Sequence, residues 1–328
     1  MRLYLGIDGG QTKTVAVIGN ENGKVLGWGK GGPSNHIREK GGKKRFREAL
    51  LGSIREAMED CGLEEAIFHS AYLGISGACD EMLKIARKII KAEQIFLEGD
   101  ALLALASCTL GEEGIVIIAG GGSVAFGMNR KGEIASAGGW GYFMGDEGSA
   151  FWIAKEGINR ATKAVDGRGK QTSILPNLLS HFNIPDLQTL HRLIYSGKIS
   201  RPETAGAAEA VLKSARDGDE IALEICKRAG EELAEACLAV MRKLFREKEE
   251  VTVGLFGGVF SAGDVIIEPL RKRLLRDVPK AKLVFPILPP EGTALLLALK
   301  KSGKEITPEV IERIKNSLAE RRESFGGG

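Results

Sequence analysis

Asp8 is followed by Gly9, Gly10, Gln11, Thr12, Lys13 and Thr14, a grouping that can do phosphate chemistry. Glycines let the backbone approach a bulky anion, and successive N–H groups, hydroxyls and an ammonium can line a concave site for it. A carboxylate just before such a turn can hold a hydrated Mg2+ against the same phosphates. The same residues could equally serve only a tight hairpin, because Leu3, Leu5 and Ile7 lead in and Val15, Val17 and Ile18 lead out as short strands.

The pattern then returns. Ile115 to Ala119 is a buried-strand run, Gly120-Gly121-Gly122-Ser123 is its glycine turn, and Val124 to Met128 is the return strand. Each hairpin is followed by a polar turn, Asn20 to Gly23 and Asn129 to Gly132, and then by a third strand, Lys24 to Trp28 and Glu133 to Ala137. Repetition of a whole supersecondary unit points to an internal duplication. Two such units facing each other would set their glycine hairpins on opposite walls of one cleft, each gripping part of a polyphosphate.

The elements that must position these turns follow from periodicity. The first unit continues with an amphipathic helix over 43–60, a strand over 68–75, a helix over 80–91 and a short strand, Ile95 to Leu97. Glu98-Gly99-Asp100 then opens the apolar helix Ala101 to Ala106. Residues 146–163 and about 170–245 read as helical, an inserted layer in the second unit. That unit resumes with a strand, Val251 to Phe256, the turn Gly257-Gly258, a helix from about 263, the strand Leu283 to Phe285 and a helix over 292–300. A charged helix over 307–322 precedes a frayed end, 324–328. The expected division is 1–112, completed by a helix from about 291; 113–290, with the helical insertion at about 165–247; and a terminal helix and tail over 303–328. The fold class is α/β. Gly27-x-Gly29-x-x-Gly32 formally matches a dinucleotide fingerprint but opens no helix, since Pro33 follows, and is set aside.

Composition narrows the function. A formal net charge of +3 over 328 residues argues against nucleic acid as a partner, and no apolar run spans a bilayer. Met1-Arg2 leads directly into a strand, the pattern of a chain with no signal peptide. Cys61, Cys79, Cys108, Cys226 and Cys237 are scattered without C-x-x-C spacing, so neither zinc nor a disulfide framework is suggested, which fits a cytoplasmic protein. His36, His69, His181 and His191 have no mutual spacing for a metal. Glycine, at 44 residues, is near twice its usual share and clusters at turns.

At this point the motifs are recognisable. The first hairpin, the Ala119 to Ser123 hairpin and the Gly257-Gly258 turn resemble, in that order, the two phosphate motifs and the adenosine motif of the actin-like ATPase and sugar-kinase superfamily. The stretch Gly138 to Ala154, GGWGYFMGDEGSAFWIA, resembles the N-acetylglucosamine kinase and archaeal-type hexokinase branch of the BadF/BadG/BcrA/BcrD-type ATPase family. Gly32 to His36, Gly99-Asp100-Ala101 and Pro290 to Ala294 match that branch too. The resemblance runs from residue 3 to about 300. It implies two ribonuclease H-like (actin-like ATPase) domains facing a central cleft, an ATP- and Mg2+-dependent sugar kinase, and a homodimer.

Site residues carry over by position. Asp100 takes the place of the catalytic base, a carboxylate that accepts the proton of the attacking hydroxyl; it could also merely cap the helix that begins at Ala101. Asn35, Ser76 and Asp146, with Asp100, resemble sugar ligands, and Gly139 and Trp140 the wall against the sugar's 2-substituent. Trp140 could instead be an ordinary packed aromatic, Asp146 a helix cap beside Ser149, and His36 a sugar contact. Gly9, Gly10, Thr12 and Lys13 would meet the β- and γ-phosphates, with Asp8 holding Mg2+ through water. Gly121, Gly122 and Ser123 would meet the other side, and Gly257 and Gly258 would let adenosine lie on backbone. Gly121 stands where relatives usually carry Thr, so a hydroxyl donor is missing.

The leading expectation is transfer of the γ-phosphate to the 6-hydroxyl of N-acetylglucosamine, glucosamine or glucose. The alternative is an ATPase that activates a partner enzyme, as 2-hydroxyacyl-CoA dehydratase activators do; those use clustered cysteines that this chain lacks. A sugar-sensing regulator would need a helix-turn-helix or basic extension before residue 3. Neither G-x-x-x-x-G-K-[ST] nor H-R-D occurs, which excludes P-loop and protein kinases.

Overall fold

Alternation along the first strand feeds two cores at once. In the computed structural model, which describes residues 1–246 and 249–325, Tyr4, Val15 and Val17 enter one cluster, and Leu5, Ile7, Ala16 and Ile18 enter another. The chain forms two compact units: Met1–Glu112 with the segment from Pro286 onward, and Glu113–Phe285.

In the first unit the order is β1 (Leu3–Gly9), β2 (Thr14–Asn20), β3 (Val25–Gly31), α1 (Gly42–Asp60), β4 (Phe68–Ile75), α2 (Asp80–Ile89), β5 (Ala92–Glu98) and α3 (Asp100–Thr109), completed by α11 (Pro290–Lys301) and α12 (Pro308–Ser324). Its sheet runs β3-β2-β1-β4-β5. Strands β1 and β2 pair antiparallel, whereas β1, β4 and β5 are parallel neighbours. Helices α1 and α2 cover one face; α3, α11 and α12 cover the other. Close approach explains the discarded fingerprint. A Cβ on Gly27, Gly29 or Gly31 would strike the backbone of α1 at Ala57, Ser53 or Ala49, so these glycines flatten β3 for a helix. Gly6 does the same for α11 at Leu295.

The second unit repeats this order. Strands β6 (Gly114–Ala119), β7 (Ser123–Met128), β8 (Ile134–Gly138), β9 (Thr252–Phe256) and β10 (Lys282–Val284) lie as β10-β9-β6-β7-β8. Read from the third strand outward, both sheets have one sequence of neighbours, the ribonuclease H-like (actin-like ATPase) arrangement. Between β8 and β9 come α4 (Ala150–Val165), α5 (Ile174–Phe182), α6 (Leu187–Tyr195), α7 (Arg201–Gly206), α8 (Ala208–Arg216) and α9 (Glu220–Leu244). A 3₁₀ turn, Gly258–Ala262, and α10 (Asp264–Asp277) connect β9 to β10.

Several boundaries differ from expectation. The third strand runs on to Gly31 because the glycine stripe is covered by α1. The helix expected from 146 begins at Ala150, because Asp146 (φ 61) and Gly148 (φ 76) are left-handed and Ser149 is the cap, its side chain accepting from Trp152 N. Of the expected frayed end, Ser324 closes α12 and Phe325 packs on Trp28 at 5.2 Å between ring centroids; residues 326–328 lie outside the described residues.

Candidate active site

In the first unit, three parallel strands end together. Asp8 pairs with Gly74, and Gly74 with Glu98, so β1, β4 and β5 deliver Asp8, Ser76 and Asp100 at one edge of the sheet. Carboxyl ends of parallel strands are where open α/β sheets bind ligands. The turn after Asp8 is tight: Gly10 N donates to Lys13 O at 3.0 Å, leaving Thr12 and Lys13 exposed at the tip. Thr14 belongs to the frame, its hydroxyl donating to Gly32 O at 2.8 Å. A Cβ on Gly9 would collide with Ser34 and Ile75, whereas one on Gly10 would meet nothing within 4 Å. Gly9 is therefore demanded by packing, and Gly10 leaves open space at the turn. Ser76 N donates to Gly9 O at 2.9 Å, which joins the end of β4 to the hairpin.

Burial, assisted by the negative charges of Glu291 and Asp100 and opposed by Lys13, raises the Asp8 carboxyl from 3.8 to about 7. Glu291 is a residue that sequence reasoning gave no role. It sits in the first turn of α11, 2% exposed, with Oε1 2.5 Å from Arg322 Nη2 but without a hydrogen bond to it. Glu98, at the end of β5, is held differently, accepting from Tyr72 Oη at 2.6 Å and pairing with Lys301 at 3.2 Å. Among the described residues no three His, Cys, Asp or Glu side chains form a metal cage. A hydrated Mg2+ fits Asp8 all the same: Mg2+ keeps several waters and needs one or two carboxylates beside phosphate oxygens, and positive charge there relieves the crowding of three carboxylates.

Asp100 is exposed and is the first residue of α3 rather than its cap; that place falls to Gly99, with no side-chain hydrogen bond closing the helix end. Asn35 is 5% exposed, in a loop whose carbonyls at Asn35 and His36 accept from Arg45 Nη2 at 3.1 and 3.2 Å. His36 is exposed, left-handed at φ 56, and 3.5 Å from Glu39.

The second unit builds a different edge. Gly120 N donates to Gly122 O at 2.9 Å and Gly120 O accepts from Ala150 N at 2.8 Å, tying the turn to the start of α4. Ser123 donates inward, its N–H to Asp146 Oδ1 at 3.3 Å and its hydroxyl to Glu147 O at 2.7 Å. Asp146 is 4% exposed, and its other oxygen accepts from Arg201 Nη2 at 3.1 Å. A Cβ on Gly122 would lie 2.9 Å from that carboxylate, while Gly120, Gly121 and Gly258 face open space. Gly257, at φ 111, would drive a Cβ into the backbone of Ala119 on the neighbouring parallel strand. Gly139 is left-handed at φ 74, and Trp140 is 72% exposed, so it is not an ordinary packed aromatic.

The family model of the BadF/BadG/BcrA/BcrD ATPase family matches residues 5–298. The chain belongs to this family. Curated relatives include the N-acetylmuramic acid/N-acetylglucosamine kinase of Clostridium acetobutylicum, 31% identical over 87% of this chain and 94% of the relative. The N-acetyl-D-glucosamine kinase of Dictyostelium discoideum is 30% identical over 90% of this chain and 98% of the relative. A solved structure from Chromobacterium violaceum, assigned as an N-acetylglucosamine kinase, superposes with a TM-score of 0.73 at 27% identity, covering 91% of this chain and 99% of the other. Set within this ATPase family, the first unit gathers Asp8, Ser76 and Asp100, and the second gathers the Gly120–Ser123 and Gly257–Gly258 turns. Arg201 was not legible as part of the second group; it lies 80 residues from Gly121 in a helical stretch without a motif.

Proposed function

We propose that this protein is an ATP-dependent sugar kinase that transfers the γ-phosphate to the 6-hydroxyl of N-acetylglucosamine or a related hexosamine or hexose. The observation that carries this reading is the gathering of Asp8, Ser76 and Asp100 at the ends of three parallel strands, in a chain related over nearly its whole length to sugar kinases. Phosphoryl transfer leaves a protein little covalent chemistry; it must align the acceptor, take its proton and offset charge on the phosphates. Asp100, exposed and free of a capping role, accepts the proton from the sugar hydroxyl. Asn35, Ser76 and Asp146 orient the sugar, beside Gly139 and Trp140. Gly9, Gly10, Thr12 and Lys13 bind the β- and γ-phosphates, with Gly121 and Gly122 on the same nucleotide and Gly257 and Gly258 under its adenosine. Ser123 frames that turn through its bonds to Asp146 and Glu147 rather than touching the ligand. Asp8 would hold Mg2+ through water, and the ion supplies positive charge to the phosphate oxygens.

The partner-activating ATPase is disfavoured by the cysteines. Cys108, Cys226 and Cys237 are buried inside helices, not presented on a surface where two subunits could share a cluster. No helix among the described residues is long and apolar enough to cross a membrane. Assembly as a cytoplasmic homodimer belongs to the proposal, with light scattering as the check on the dimer. The deciding experiment measures Mg-ATP consumption with glucose, glucosamine, N-acetylglucosamine and water as acceptors, with phosphorus NMR locating the phosphate. Sugar-dependent turnover giving a 6-phosphate is expected; turnover equal with water overturns the reading.

A further inference from the structure

The Gly120–Gly122 turn has no side chains, and Ser123 spends both its N–H and its hydroxyl donor inside the protein. Backbone N–H groups alone offer partial charges to a ligand that carries several full negative ones. The first unit's hairpin has Lys13 at its tip, whereas the residues 120–123 include no cation. The cation beside them comes from the helical insertion. Arg201 Nη2 lies 3.4 Å from Gly121 O and 3.1 Å from Asp146 Oδ2.

We propose that Arg201 is an anion-binding residue of the Gly120–Ser123 turn, the side-chain cation that meets the phosphate chain of the nucleotide; this rests on the ATP-dependent reading above. The guanidinium is placed rather than loose. It lies over the Tyr142 ring at 4.7 Å and near the Phe151 ring at 5.6 Å. The start of α7 is fixed by a capping box, Ser200 and Glu203 each bonding the other's backbone N–H. With its side chain 44% exposed, Arg201 is reachable. Both contacts use Nη2, so Nε and Nη1 have donors for a phosphate in the planar fork that suits one. Asp146 orients this fork from beneath. Through Gly121, which has no side chain in the way, the arginine offers the donor that the turn itself lacks.

A purely structural role, neutralising buried Asp146, is the competing account, and the two separate by ligand. In calorimetric titrations of the full chain, Arg201→Met should weaken ADP binding about 10- to 100-fold while adenosine affinity stays within about twofold, and Arg201→Lys should recover part of the loss. Tyr142→Leu, which keeps the cation and removes the ring that seats it, should weaken ADP binding by a smaller factor and leave adenosine affinity unchanged; it keeps the test alive if Arg201→Met does not fold. Equal losses for ADP and adenosine, or unchanged ADP affinity in Arg201→Met, would overturn the assignment. A parent protein that binds no adenine nucleotide would overturn the kinase reading and this inference with it.

Discussion

Where Asp8 pairs with Val15 and Gly74 in the first sheet, the corresponding row of the second sheet has Ile118 paired with Val124 and Phe256. Both residues are half-buried, one before each hairpin's last paired position. After the outer parallel strand, the first unit places Gly99 and Asp100; the second places Phe285, 55% exposed. One strand order thus ends in carboxylates in the first copy, and in bare backbone with an arginine from the insertion in the second. In the proposed kinase, proton and cation handling fall to the acidic copy, and the glycine turns of the second copy keep their backbone exposed for a nucleotide. Substitutions in the first should therefore alter turnover, and those in the second should alter binding.

The strongest test of that division is Asp100→Asn. Loss of a general base is expected to lower kcat by about 10² to 10⁴. The carboxamide is isosteric and makes no cap, so folding and ADP binding should be unchanged. Near-normal turnover would remove Asp100 from the chemistry and blur the contrast between the copies.

The second copy gives a paired test. Gly257→Ala places a Cβ at φ 111 against the backbone of Ala119, and strain plus overpacking should destabilise the fold by about 2–4 kcal/mol. Gly258→Ala meets nothing within 4 Å, so its melting temperature should hold while nucleotide affinity falls. If both variants bind and melt alike, Gly258 is no ligand surface.

What could be read ahead of the structure was local. Strand–turn–strand units and their duplication follow from period-two alternation and glycine turns, and they emerged nearly to the residue. The motif residues Asp8, Ser76 and Asp100 meet because parallel strands end in register, a consequence of topology that the order of elements implies. Arg201 was out of reach, and Glu291, though inside the Pro290 to Ala294 match, came without a role. Each comes from a helix whose packing decides where its first turn points, and nothing in the local pattern records Gly6 admitting α11 or Tyr142 receiving a guanidinium. Asp146 shows the opposite failure: its motif is plain, yet its left-handed backbone and bonded oxygens are tertiary facts.

The first copy also makes a prediction about pH. The folded protein binds the Asp8 proton more tightly than the unfolded chain does, with a value of about 7 against 3.8. Its contribution to stability is therefore whole below about pH 4 and declines as pH rises through 7. Asp8→Asn abolishes this decline. In magnesium-free buffer the variant should gain on the parent by about 1–3 kcal/mol between pH 5 and pH 8, although its turnover is lost. Parallel melting curves across that range would mean that Asp8 is not the crowded group.

Glu291→Gln sharpens the same point with a smaller effect. Its charge is the second cause of the raised Asp8 value, after burial and ahead of Asp100. Removing it leaves burial in place, so the fall in stability persists but moves to lower pH. Arg322, with 43% of its side chain exposed, can turn to water when its partner is neutral, which keeps the direct cost of the substitution modest. Because Glu291 acts on Asp8 rather than on the acceptor, kcat should stay within a few-fold of the parent. A loss as large as that of Asp100→Asn would instead put Glu291 in contact with the reacting groups, and the acidic edge of the first copy would hold two working carboxylates beyond Asp8.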